Sequence, residues 1–303
     1  MLSYYEPISS KDCIITIDKI RIQFSARNCL MSTPSVDSLL PFLIFKDEDS
    51  RQFMYKYHYQ ASYDYGKMDV FLQNNSKESS KSMIQVNPNK CFSDKMCLQD
   101  IKTILSYSTS YCIKSIDIAI DFPLLPELIS IQKDQRAHKT FSRSKSDKTE
   151  YLGKNRNKPG SVKKYDKEKE SNLSSPLTRI EITADNPASS DFRKNLSRYL
   201  PKTYIRQSTV GYIDLNSVKL KDSERVLAML LMDHTDKIKY YHMLGKKMQK
   251  KIEPLILSDE VEYAYDINLI SQVAYKMISI LTFDYSILKD GVFYVKPNRK
   301  FYA

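Results

Sequence analysis

The sequence predicts an α+β protein, a mainly antiparallel sheet over residues 1–200 followed by a helical portion over residues 201–303. Three observations carry that expectation. Stretches rich in β-branched residues, with apolar and polar positions in alternation, fill the first part of the chain. Helical spacing of apolar residues takes over after about residue 200. Strands precede helices instead of alternating with them, which argues against a doubly wound parallel sheet.

The elements follow in chain order. CIITIDKIRIQF, from Cys13 to Phe24, is β-branched and partly alternating and reads as the first strand. Met54 to Gln73 alternates tyrosines with polar residues and breaks at Gly66, the pattern of a hairpin. KSMIQVNPNK, Lys81 to Lys90, reads as a strand closed by an Asn-Pro-Asn turn. Leu98, Ile101, Ile104 and Leu105 fall at helical spacing. KSIDIAIDF, Lys114 to Phe122, alternates strictly, with Ile116, Ile118 and Ile120 on one face and Asp117, Ala119 and Asp121 on the other. LTRIEIT, Leu177 to Thr183, sets Arg179, Glu181 and Thr183 opposite Ile180 and Ile182.

Helical spacing begins around DSERVLAMLLMD, Asp222 to Asp233. A lysine-rich helix is then predicted from Asp236 to Glu253, with Ile238, Tyr241, Leu244, Met248 and Ile252 on its apolar face and Lys246, Lys247 and Lys250 mostly off it. Pro254 ends it. Ile267, Ile270, Ala274, Met277, Ile278 and Leu281 form the stripe of a last helix, and an aromatic tail closes the chain.

Composition narrows the function. With 303 residues, 42% of them hydrophobic, the chain has material for a substantial core. The five cysteines form no CxxC pair and read as free thiols, not zinc ligands or disulfides. No apolar run approaches the ~20 residues that span a bilayer, and the opening MLSYYEPISSKDC lacks the order of a signal peptide, so the expectation is a cytoplasmic protein without membrane contact. Walker, GxSxG and GxGxxG motifs are absent from a chain with six glycines, which removes support for nucleotide hydrolysis and dinucleotide binding. Only four histidines occur, none within three residues of another, which disfavours a two-histidine metal site.

The formal net charge is +11, and its distribution is uneven. Between Arg136 and Lys169 stand twelve Lys and Arg against four Asp and Glu, a surplus of eight. Such a run is either a solvated loop or a surface that follows phosphates. Carboxylates flank it in sequence: Asp117 and Asp121 before, Glu181 after. Asp117 and Asp121 share a strand face but stand roughly 13 Å apart, so one of them with Glu181 from a neighbouring strand is the simple site for Mg²⁺ or Mn²⁺. The competing reading is a solvated polar sheet face. Within the basic run, Tyr165 sits between Lys164 and Asp166. A tyrosine is usually a packing or surface residue; as a nucleophile on phosphorus it needs neighbouring cations, which Lys163, Lys164 and Lys167 supply in sequence.

Taken in order, NPNK (87–90), SIDIAIDF (115–122), TEYLG with KKYDKEKE (149–170), LTRIEI (177–182) and ERVLAMLLMD followed by the lysine-rich helix resemble the trans-acting rolling-circle replication initiators of small Gram-positive plasmids. The match is colinear from about Lys81 to Glu253 and rests on the order of the motifs. The resemblance implies that Tyr165 nicks one strand of the plasmid origin, leaving a 5′-phosphotyrosine and a 3′-hydroxyl primer. It implies that Asp117, Asp121 and Glu181 surround a divalent metal and that Lys167 and Glu170 belong to the tyrosine motif. It further implies a homodimer, a host helicase as partner, and origin binding by the C-terminal helices with Lys246, Lys247 and Lys250. The chain departs from the pattern at Lys163 and Ser115, where arginine is usual in relatives. The cation that holds the scissile phosphate is thereby left open among Lys163, Arg156 and Arg179. The competing readings are a relaxase of a mobilisable or integrative element with the same chemistry, and a sequence-specific DNA-binding protein without catalysis.

Overall fold

The structure is a computed structural model, and it describes residues 8–9, 13–30, 32–50, 55–74, 81–144, 147–153, 158–206, 221–233, 243–252, 260–283, 286–289 and 291–295. Its frame is one antiparallel sheet, thirteen strands among the described residues. The α+β expectation holds.

Two long strands form the spine. β2 (Ile14–Ala26) and β7 (Ser108–Phe122) are 13 and 15 residues long and pair along nearly their whole length. Strands of ordinary length, about 5–6 residues, serve one neighbour on each side. These two serve more. On one flank β2 carries β6 (Lys81–Val86), and beyond it come β5 (Gly66–Asn74), β4 (Tyr55–Tyr63) and β3 (Ile44–Ser50). The short β1 (Ile8–Ser9) pairs with the start of β2. On the other flank β7 carries β12 (Thr178–Asp185) along its second half, followed by β11 (Val162–Asp166), β10 (Asp147–Leu152) and β9 (His138–Ser144).

The partial alternation of β2 has a physical cause. Ile15 and Ile17 are buried, and so are Ile20 and Ile22, although the two sets are out of phase by one residue. A register shift between Ile17 and Lys19 takes up the odd residue, Asp18. A second shift, between Arg21 and Ile22, does the same for β7, where Ile113 and Ile116 are both buried three residues apart. The apolar faces of β2, β7 and β12 thus remain in one plane with Ile118, Ile120, Ile180 and Ile182.

Helices cover that apolar face. α1 (Thr33–Leu39) follows β2; α2 (Pro88–Cys91) and α3 (Lys95–Ser106) lie between β6 and β7; α5 (Phe192–Tyr199) follows the short α4 (Lys167–Ser171) and β12. Asp94 caps α3 by accepting from the Met96 N–H at 2.8 Å. The expected Asn-Pro-Asn turn is instead the start of α2, since Pro88 stands at a helix position where a missing N–H leaves nothing unsatisfied.

The division at residue 200 is not a division of the core. After β13 (Thr203–Arg206), α6 (Asp222–Asp233), α7 (Lys246–Ile252) and β14 (Glu260–Glu262), the chain returns through α8 (Ile267–Leu281). Ile270, Val273, Ala274, Met277 and Leu281 of α8 join the same hydrophobic cluster as the β2, β7 and β12 isoleucines. β16 (Val292–Val295), itself paired with β15 (Ser286–Lys289), adds to the edge of β7. β13 pairs with β14 and with β8 (Ile129–Ile131) in a separate three-stranded sheet. Of the lysine-rich helix expected from Asp236 to Glu253, the described residues show a helical Met243, a break at Leu244 and Gly245, and then α7; its positions Ile238 and Tyr241 lie outside them. No described helix is long and apolar enough to cross a membrane.

Gly66 opens β5 against the end of α2. A Cβ there would lie 2.6 Å from Cys91 Sγ and 2.8 Å from Lys90 Cβ. Gly66→Ala is therefore expected to lower unfolding stability by about 1–3 kcal/mol through overpacking, measured by urea denaturation. An unchanged midpoint would show that the corner yields.

Candidate active site

The face of the sheet opposite the core is polar where β11, β12, β7 and β2 run side by side. Alternation and register assemble it. Tyr165 lies beside Arg179, and Arg179 beside Asp121; one step along, Lys163 lies beside Glu181, and Glu181 beside Ala119. Residues directly opposed in adjacent strands share a face, so these side chains meet above the sheet. Strand β11 ends at once after the tyrosine, because Asp166 caps α4 by accepting from the Lys169 N–H at 3.1 Å.

Tyr165 is almost wholly buried, and its hydroxyl donates to Glu181 Oε1 at 2.6 Å. Lys163 Nζ lies 3.7 Å from the centre of the phenol ring and 3.5 Å from Glu181 Oε2. Lys167 Nζ stands 6.0 Å from the ring and pairs with Glu170. Burial, reinforced by the Glu181 charge, holds the phenol well above its ordinary pKa, so the resting hydroxyl is protonated. Burial also raises the Glu181 carboxyl, against the opposing pull of Lys163 and the tyrosine hydrogen bond. The group beside the hydroxyl is a carboxylate made more basic than usual.

Two arginines hold the other carboxylates. Arg179 donates from Nε to Asp121 Oδ1 at 2.6 Å, from Nη2 to Asp121 Oδ2 at 2.7 Å and from Nη1 to Asp18 Oδ1 at 2.9 Å. Burial is the strongest single influence and works against its charge, but the Asp121 hydrogen bonds together with the Asp121 and Asp18 charges raise its pKa on balance. Asp18, the bulge residue of β2, also accepts from Asn87 Nδ2 at 3.3 Å. Arg21 grips Asp117 with both terminal nitrogens at 3.0 Å and reaches Gln85 and Ser115, while Thr183 Oγ1 donates to the same aspartate at 2.8 Å.

The carboxylates expected at a metal are thus distributed differently. Asp117 and Asp121 each give both oxygens to a guanidinium, and Glu181 is shared between a phenol and an ammonium. A cation adjoining each carboxylate removes the charge that would attract Mg²⁺ or Mn²⁺. Among the described residues, no group of three or more His, Cys, Asp and Glu side chains is placed to hold an ion. As arranged, this donor set does not fit a shared divalent metal.

The expected phosphate-binding cations also sort by face. Lys163 and Lys167 are at the site. Lys164 points the other way, buried, with Nζ donating to the Ile129 carbonyl at 2.5 Å and 3.8 Å from Glu150 Oε2. Its neighbours 163 and 165 face the site, so alternation along β11 sends it to the back. Arg179 is committed to Asp121 and Asp18, and Arg156 lies outside the described residues. Lys246, Lys247 and Lys250 are exposed on α7. His58 packs on Phe71 with ring centres 4.6 Å apart and meets Asp69 at 3.0 Å. Asp18 and Arg21 escaped sequence reasoning, where the visible signal was the broken isoleucine phase around Asp18; the sequence places Thr183 on the right face and Asn87 in the NPNK motif, but neither with a role at the site.

The fold and this face define a class: an antiparallel-sheet protein that sets a buried tyrosine against a carboxylate on a charged strand surface. No family model matches the chain, and no curated protein matches it. Among solved structures, it is similar to a rolling circle replication initiator protein from Geobacillus stearothermophilus, with 12% identity and a TM-score of 0.36 over 69% of this chain and 92% of that one. A superposition at that level adds no argument to the geometry.

Removing Asp121 would leave the Arg179 guanidinium buried with Asp18 alone. Asp121→Ala is expected to cost about 3 kcal/mol of unfolding free energy, read from denaturant melts. A loss below about 1 kcal/mol would mean that water or another acid replaces the aspartate readily.

Proposed function

We propose that the protein initiates plasmid replication by cleaving one strand of origin DNA with Tyr165 as nucleophile. The observation that carries this reading is the 2.6 Å hydrogen bond from the Tyr165 hydroxyl to Glu181, with Lys163 against the ring. The order of sequence motifs and the basic run from Arg136 to Lys169 support the choice of DNA.

The chemistry follows from the two pKa shifts. A phenol held above its ordinary pKa does not attack as preformed phenolate. Its proton leaves as the bond to phosphorus forms, and Glu181 Oε1 is in place to take it. The Tyr165 oxygen bonds to phosphorus, the bond from phosphorus to the 3′ oxygen breaks, and that oxygen leaves as a hydroxyl with the proton that Glu181 returns. Lys163 stays beside both partners and favours charge on the oxygens that exchange it. The products are a 5′-phosphotyrosine and a free 3′-hydroxyl. Reversal joins the strand again without ATP, because one phosphodiester replaces another. The homodimer, the host helicase and origin binding through Lys246, Lys247 and Lys250 belong to the same reading.

The test uses supercoiled DNA that carries the replicon encoding the chain, with Mg²⁺, with Mn²⁺ and with chelator. Wild type is expected to give open circles with protein on the 5′ end, and Tyr165→Phe none. Adducts formed by the phenylalanine variant would remove Tyr165 from the role; wild-type binding without nicking under every condition would leave a DNA-binding protein only.

Glu181 also sets a pH dependence. As base it must be ionised, and its pKa is raised, so single-turnover cleavage should fall as pH drops through a value above the ordinary 4.5 of glutamate. Glu181→Gln should slow cleavage by about 10²–10⁴-fold and abolish that acid limb. A variant that keeps the limb would assign it to another group.

A further inference from the structure

The polar face at Tyr165 is close to charge balance: Asp18, Asp117, Asp121 and Glu181 stand against Arg21, Arg179, Lys163 and Lys167. The net +11 of the chain is therefore carried elsewhere. One concentration lies on the back of the sheet. Phe192 and Leu196 bury one side of α5 in the core, and the opposite side exposes Arg193, Lys194 and Arg198. In an eight-residue helix these three positions fall within an arc of about 140° at 100° per residue. α5 packs on α8, whose outer side exposes Gln272, Tyr275 and Lys276. Arg193 lies 5.8 Å from the centre of the Tyr275 ring and joins the two helices into one surface.

No carboxylate pairs with Arg193, Lys194, Arg198 or Lys276 among the described residues; the adjoining exposed acid is Asp191, at the start of α5. This contrasts with the front face, where each arginine has a bidentate aspartate. Unneutralised cations in a setting of amide, hydroxyl and phenol groups, with no exposed aliphatic side chain on the outer side of either helix beside them, fit a phosphate backbone and give a bilayer little to bury.

We propose that the outer surface of α5 and α8 is a second DNA-binding face that holds duplex backbone without reading sequence. It lies on the side of the sheet opposite Tyr165, since both helices pack on the apolar face. The strand cut at Tyr165 and the duplex held here are different stretches of the same DNA, and the origin must bend around the sheet edge to reach both. The choice of DNA as the polyanion rests on the function proposed above, while the contact itself needs no cleavage.

The experiment measures binding of the full chain to a linear duplex of random sequence by fluorescence anisotropy across a KCl series, without cleavage. Each phosphate contact contributes about 0.9 to the slope of log K against log salt. Arg193→Ala, Lys194→Ala, Arg198→Ala and Lys276→Ala combined are expected to lower the slope by about 3.6. All four are exposed, so the variant should keep the wild-type melting temperature and, as a separate readout, the wild-type rate of cleaving a single-stranded oligonucleotide. An unchanged slope overturns the proposal, as does wild-type protein that does not bind duplex. Loss of binding to phosphatidylserine vesicles with the duplex slope intact would assign the surface to a membrane and overturn it equally. Failure of Tyr165 to nick would remove the proposed function and leave the slope measurement standing.

Discussion

The antiparallel pairing of β2 with β7 is the interaction on which the rest of the structure depends. Every other strand of the large sheet reaches the frame through one of them, and the helices pack on the isoleucines they present. Two register shifts keep those isoleucines on one side although the chain runs out of phase in both strands. A slip of one residue would turn the apolar set outward and the charged set inward. The register is therefore guarded from both faces: by the isoleucine plane behind, and in front by Arg21 on Asp117 and Arg179 on Asp121 and Asp18, which close only in this alignment.

Ion pairs of this kind are poor sources of stability, since desolvating the charges offsets most of what their attraction returns. Their value here is geometric. Each guanidinium crosses from one strand to another and fixes where the neighbouring side chains stand. Arg179 ties β12 to β7 and to the bulge of β2, and Tyr165 lies directly beside it in the next strand. Tyr165 is thus placed by a lattice of charges that cancel, which is why so polar a surface survives close to the core.

Much of this was legible in the sequence, and the reasons for the gaps are specific. Strict alternation in SIDIAIDF and TRIEIT identified β7 and β12 and the side on which Asp117, Asp121 and Glu181 emerge. Hairpin β4–β5 and helix α8 were equally plain. Strands β9, β10 and β11 were hidden, because lysine density masked their alternation and gave Tyr165 the look of a loop residue. The pairing of those carboxylates with cations was hidden for another reason. A sequence shows which acids share a face but not which cations from distant strands arrive opposite them, and Arg21 lies almost a hundred positions before Asp117. The place of α8 in the core was hidden similarly, as nothing local in it says that its stripe meets isoleucines from the first strands.

Lys164 draws little notice beside the tyrosine, yet it changes what kind of object β11 is. Its ammonium reaches through the back of the sheet to the carbonyl of Ile129 in β8, and β8 pairs with β13, which pairs with β14. One strand therefore belongs mechanically to two sheets, presenting Tyr165 on one side and anchoring the small sheet on the other. The aim of the hydroxyl and the position of the segment from Thr203 onward are then not independent degrees of freedom: the strand that carries Tyr165 is tied to β13 and β14 through Lys164 and β8.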